Sequence, residues 1–211
     1  MTIDLPARVA SLTHLGSAWI MWLLVGLSVL ALAVIIERAA ALLFGRGDAD
    51  ACRREISEHL RRGDLEAARA RARQSTSVEG QVFTAGAEGE APGAAAAEQR
   101  LAAATQLARL NLERRLAFLG TLGNNAPFIG LLGTVIGIIR AFRMMEGAAG
   151  KVTAGLMSEV GEALVATAIG ILVALPAIAA FNLFQRMVKT RLARIEAMGR
   201  ELVAALSTER V

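Results

Sequence analysis

The sequence predicts an all-α membrane protein with three transmembrane helices. The 211 residues are 55% hydrophobic yet 20% charged, so the apolar content has to be concentrated in blocks. Three blocks carry no charge: Leu15–Ile36, Leu116–Ile139 and Ala163–Gln185. Each exceeds the roughly 20 helical residues that cross a hydrocarbon core of about 30 Å. The basic residues are also spread unevenly around these blocks. A soluble bundle with three buried helices is the competing fold. It fits poorly, because buried helices of this length rarely lack charge throughout.

The charge distribution sets the expected topology. Thirteen arginines lie between Arg38 and Arg115, and six Lys or Arg follow the last block, from Arg186 to Arg210. Only Arg8 precedes the first block, and Arg140, Arg143 and Lys151 lie between the second and third. The positive-inside rule puts the basic segments in the cytoplasm. The chain then divides into an outer tail (1–16), a first span (17–37), a cytoplasmic segment (38–115), a second span (116–139), a short outer connection (140–161), a third span (162–185) and an inner C-terminal helix (186–211). This topology explains the net charge of +4 better than nucleic-acid binding does, since Glu55, Glu58, Asp64 and Glu66 are interspersed among the arginines. The first block is too long for a signal peptide, and Asp4 stands in the segment where such a peptide is basic. It reads as a retained anchor.

The elements follow in order. Pro6 is expected to precede a brief interfacial turn of helix. Trp19 and Trp22 suit an interfacial anchor at the outer end of the first span. Gly45, Gly47 and Asp48 mark a break. A charged helical stretch runs from about 49 to 75, with Arg61–Asp64 as a turn between two short helices. Residues 84–93 are rich in Gly, Ala and Pro and read as a loop. From Ala94 the chain is strongly helix-prone and meets no breaker before the second span, which predicts one long helix running from the cytoplasm into the membrane. The third span continues in the same way past Gln185. Projecting helices with amphipathic patterns suggest a bundle or an oligomer around an axis.

Two of the spans carry matched tracks of small residues, each with a threonine. Gly130, Thr134, Gly137 and Ala141 share one face, and Ala163, Thr167, Gly170, Ala174 and Ala177 share another. Gly133 and Gly137 add a GxxxG pair, which lets helix backbones approach closely. Glu162 stands beside the second track. A hydroxyl and a carboxyl at that depth are costly, so they suit the passage of a proton or an ion. Other readings stay open. Each threonine can bond a carbonyl of its own helix, and Glu162 can be hydrated at the interface. Pro127 and Pro176 lie inside spans and serve either packing or a flexible bend. Glu37 and Arg38 form an inner-edge pair, as an anchor or a bridge between subunits. Asn124, Asn125 and Asn182 can bond between helices.

Other chemistry is thin. Cys52 is a lone thiol, and His14 and His59 belong to no ligand cluster, so neither a metal nor another cofactor is expected. The sequence has no P-loop and no HExxH or GxSxG motif, and it does not read as an enzyme.

Two segments resemble the signature regions of the MotA/TolQ/ExbB proton-channel family: LGTLGNNAPFIGLLGTVIGIIRAF at 119–142 and EALVATAIGILVALPAIAAFNLFQ at 162–185. Glu37 and Arg38 also fit. The resemblance implies a ring-shaped pentamer whose second and third helices line a central pore. It implies a dimer of a single-span partner of the ExbD/TolR/MotB type in that pore, each copy carrying an aspartate. By motif position, Thr134 and Thr167 should line the proton path and Glu162 should be the important carboxyl. Pro127 and Pro176 match the family's prolines. MotA-type members have a fourth span, so three spans point to the ExbB/TolQ branch. The expected role is a stator-like subunit in a bacterial inner membrane that uses the proton motive force for work at the cell envelope. The alternative is a non-conducting membrane scaffold whose projecting helices bind partners.

Overall fold

A computed structural model of the chain describes residues 18–43, 46–89, 93–147 and 154–208. The expected outer tail, with Pro6, His14 and Arg8, lies outside the described residues, as do Gly45 and Lys151. Every element among the described residues is helical: α1 (Ala18–Leu43), α2 (Arg46–Arg61), α3 (Leu65–Gln74), α4 (Val78–Ala87), α5 (Ala94–Glu113), α6 (Leu116–Gly147) and α7 (Ala154–Thr208). Among these, three helices are long and apolar enough to cross a membrane; they contain the second and third uncharged blocks and the first from Ala18 onward. Large apolar side chains stay exposed along them, among them Trp22, Val29, Phe128, Leu131, Leu164 and Leu172. In water such a surface would be an aggregation hazard; a bilayer covers it. The protein is a membrane protein.

The chain forms two compact units. Among the described residues, one contains Ala18–Ile36 together with those of Ala117–Phe181; the other contains those of Glu37–Leu116 and Asn182–Thr208. The first, apolar unit has a core of small and aliphatic residues: Ile20, Leu24, Leu119, Ala126, Ala163, Ala166 and Ala177 are buried. The second, charged unit is built from α2 to α5 and the C-terminal part of α7. In it α2, α3 and α4 pack on one another and α4 packs on α5. Its core holds Cys52, Ile56, Phe83 and Leu101, and the stripe Phe184, Val188, Leu192, Ile195 and Leu202 of α7. The spacing of that stripe, three or four residues at most steps, is the amphipathic pattern of a helix with one buried face.

Local sequence explains most boundaries. The turn at Arg61–Asp64 forms as expected, with Gly63 at φ +76° and Asp64 capping α3 through a hydrogen bond from the Ala67 amide, 2.9 Å. Ser77 caps α4 by accepting from the Gly80 amide at 3.1 Å. This cap starts a helix that runs through Ala87, so residues 84–87 are helical rather than loop. Gly47 and Asp48 also fall inside a helix, in the first turn of α2, rather than in a break. The connection between α6 and α7 is shorter than the uncharged blocks suggest, since the two helices reach Gly147 and start again at Ala154.

The expected single helix from Ala94 into the second span does not form. The chain breaks between Glu113 and Leu116, where Arg115 takes a left-handed conformation, φ +64°. That region is unfavourable for a residue with a Cβ. Arg115 gains an ion pair with Glu37 there, and Leu116 is buried. No glycine or proline marks the site, because the break is made by tertiary contacts. The third span, by contrast, continues through Thr208 in one helix as its sequence indicates.

Candidate functional site

The two tracks of small residues face each other inside the apolar unit. A methyl group added at Gly130 would stand 2.8 Å from the Ala166 carbonyl oxygen and 2.9 Å from the Thr167 Cα. One at Gly170 would meet the Ala126 carbonyl oxygen at 2.7 Å and the Gly130 Cα at 3.1 Å. Gly133 faces Ala166 and Ile20, and Gly137 faces Ala163. Nearer the start of α6, Gly123 meets Ile178 and Gly120 meets the Phe181 ring. These glycines therefore allow α6 and α7 to touch backbone to backbone, the use of small residues expected between helices in lipid. Pro127 and Pro176 lie inside α6 and α7 without ending either helix.

The two threonines are both half-buried at this seam, and they differ. The Thr134 hydroxyl donates to the Leu131 carbonyl at 2.7 Å, a bond within its own helix. The Thr167 hydroxyl oxygen is buried and has no hydrogen-bond partner among the described residues. A buried hydroxyl without a partner costs about 1–3 kcal/mol, so such a group calls for an explanation. Glu162 is exposed, one position round the helix from the seam residue Ala163.

The carboxyl on the seam face is Glu159, which helical spacing places closer to the track than Glu162 but one turn further out. Glu159 precedes Ala163 by four residues and Ala166 by seven, and its side chain is only 13% exposed. Its Oε1 is 3.2 Å from Arg140 Nη1 on α6, while its Oε2 is buried without a hydrogen bond among the described residues.

The inner-edge pair is a cluster of three. Arg38 Nη2 donates to Glu37 Oε1 at 2.6 Å, and Arg115 pairs with the same carboxylate. Asn125 bonds the Thr121 carbonyl of its own helix at 2.7 Å rather than a neighbouring helix. In the charged unit the main polar feature is a bidentate pair in which Arg191 Nε and Nη2 donate to Glu79 Oε1 and Oε2 at 2.9 and 2.8 Å. Arg194 adds a bond to Asp50 at 2.8 Å. Around Asp48, Ser75 Oγ donates at 2.6 Å and Arg71 at 3.3 Å, which holds the carboxyl below its ordinary range. Among the described residues no cluster of His, Cys, Asp and Glu could hold a metal ion.

Comparison with known proteins gives this geometry its context. The MotA/TolQ/ExbB proton channel family matches residues 74–197, which include both threonines, Glu159, Glu162 and Arg191. The biopolymer transport protein ExbB-like 2 of Helicobacter pylori is 48% identical over 77 residues, 36% of this chain and 51% of its own length. The Tol-Pal system protein TolQ of Pseudomonas aeruginosa is 38% identical over 95 residues, 45% of this chain and 41% of its own. The biopolymer transport protein ExbB of Xanthomonas campestris pv. campestris is 41% identical over 92 residues, 43% and 36% of the two chains. The matched stretches thus span about half or less of these relatives. The family match covers more than half of the chain, and the protein belongs to the MotA/TolQ/ExbB proton channel family, on its ExbB/TolQ branch.

Proposed function

We propose that this chain is the channel subunit of an inner-membrane motor that uses the proton motive force to do mechanical work at the cell envelope. The observation that carries the reading is Thr167: a hydroxyl buried at the seam of two membrane helices, with no partner among the described residues, inside the region that matches a proton-channel family. A group left unsatisfied in the chain is one that a proton carrier can use. Glu162 stands five residues earlier and provides an exposed carboxyl on the same helix. No acidic residue lies in the middle of any of the three uncharged blocks, so the mid-membrane proton carrier comes from a partner. The single-span ExbD/TolR type, with one aspartate, fits that need, in the pore of a homo-oligomer, expected to be a pentamer. The arginine distribution supports an N-terminus outside and a C-terminus inside. Each proton crossing 100 mV releases about 2.3 kcal/mol, enough to drive a conformational cycle when several are coupled. The process served is transport energisation, envelope maintenance or gliding.

Thr134, whose hydroxyl is already bonded within its helix, is what a non-conducting scaffold would also show, so the decisive test is made at Thr167. Thr167→Val keeps shape and removes the hydroxyl. Its stability should be unchanged or slightly higher, since no hydrogen bond is lost, while proton flux through the assembled complex should fall. Glu162→Gln should also lower flux. Full flux in both variants would remove Thr167 and Glu162 from the proton path, and no flux through the unmutated assembly would leave the scaffold reading.

A further inference from the structure

We propose that Glu159 and Arg140 form a second proton-loading point, at the end of the seam towards the α6–α7 connection. The proposal rests on the channel reading above and adds to it a carboxyl that neither the motif nor the resemblance singles out. The track Gly170, Ala166, Ala163 of α7 continues to Glu159, and the glycine track of α6 ends beside Arg140. Where the small residues stop, the two helices are joined by this ion pair.

The pair is left incomplete in a specific way. Among the described residues Arg140 reaches only Oε1, at 3.2 Å, and Oε2 is buried without a hydrogen bond. A buried pair is favourable only when its remaining lone pairs are satisfied. As a permanent clasp this one is poor. As a proton site it is well arranged, because the free oxygen is the one that accepts. A hydronium ion gives its proton to Oε2 and leaves water; the carboxylate becomes a neutral acid, Arg140 stays a guanidinium, and the pair passes from zero net charge to +1. Loss of the ionic attraction then loosens the α6–α7 contact at that end. Thr167 lies two turns further along α7, about 12 Å at 1.5 Å per residue, a gap the proton crosses on water or on the partner's carboxyl. The other charged groups near Glu159 are Arg143 and Glu146 on α6 and Glu162 on its own helix, while α1 carries no charge before Glu37.

The test uses the full chain in lipid, alone and assembled with its single-span partner. Infrared difference spectra across a pH step should show a protonated-carboxyl band that disappears in Glu159→Gln and persists in Glu162→Gln. In vesicles carrying a pH-sensitive dye, Glu159→Gln should lower flux by about a hundredfold. Glu159→Asp should restore most of it, and Arg140→Gln should shift the flux–pH profile. A band unaffected by Glu159→Gln overturns the inference, and so does normal flux in that variant while Thr167→Val is inactive. No flux through the unmutated assembly overturns the channel reading and the inference with it.

Discussion

Two of the arginine–glutamate pairs that join helices, Arg191–Glu79 in the charged unit and Arg140–Glu159 in the apolar unit, are finished differently. In the charged unit Arg191 forks onto both oxygens of Glu79, and both side chains are nearly excluded from water. In the apolar unit Arg140 reaches one oxygen of Glu159, and the other has no hydrogen bond among the described residues. The first pair meets the conditions under which a buried ion pair is tolerated: planar bidentate geometry and no unsatisfied lone pair facing apolar surroundings. The second does not. The difference lies in geometry: a fork onto both oxygens in the charged unit, and contact with one oxygen in the apolar unit.

The largest expected effect breaks the complete pair. Glu79→Ala leaves Arg191 buried and uncompensated and should cost about 3–5 kcal/mol. Glu159→Ala should cost far less, since Arg140 is 29% exposed and can turn to water. Unfolding of both variants in detergent tests this ordering, and a reversed order would remove the contrast. Next is the seam. Gly170→Ala places a methyl 2.7 Å from the Ala126 carbonyl oxygen, against backbone that cannot rotate away, and should cost about 1–3 kcal/mol. Gly26→Ala, on the open side of α1 with nothing within 4 Å, should instead stabilise by up to about 1 kcal/mol through helix propensity.

A smaller effect is expected at the break between α5 and α6. Arg115→Gly removes the cost of a left-handed residue, about 1 kcal/mol, and loses a half-exposed ion pair of about 0–1 kcal/mol, so thermal stability should barely change. A large loss would show that Glu37 and Arg115 do more than fix the turn. The smallest effect is a pH dependence. Asp48 has its carboxyl held below its ordinary 3.8, first by Ser75 and then by Arg71. A depressed folded value stabilises the fold above the unfolded pKa and loses that contribution as pH falls through the folded one. The stability difference between the unmutated chain and Asp48→Asn should therefore be present at neutral pH and vanish in strong acid, measured by thermal unfolding.

Much of the architecture was legible because each signal was local. Three charge-free blocks require membrane helices wherever they fold, and Arg61–Asp64 carries its own turn chemistry. The small-residue tracks could be read as helix contacts from periodicity alone. Thr134, Thr167 and Glu162 could be named from motif and spacing, but spacing could not tell a hydroxyl already bonded from one left bare. Spacing also places Glu159 on the seam face, one turn beyond the uncharged block, but it could not show the ion pair with Arg140.

The sequence by itself determined the helical class, the number of apolar helices, the continuity of the last helix and the family, since these depend on composition and on patterns within one segment. Only the tertiary structure decided that the glycine tracks close on each other, that Arg115 breaks a helix containing no breaker, and that Glu159 meets Arg140 through one oxygen. Each of these depends on which groups meet across helices distant in sequence. A left-handed arginine or a half-paired carboxylate is tolerated only where such a meeting occurs.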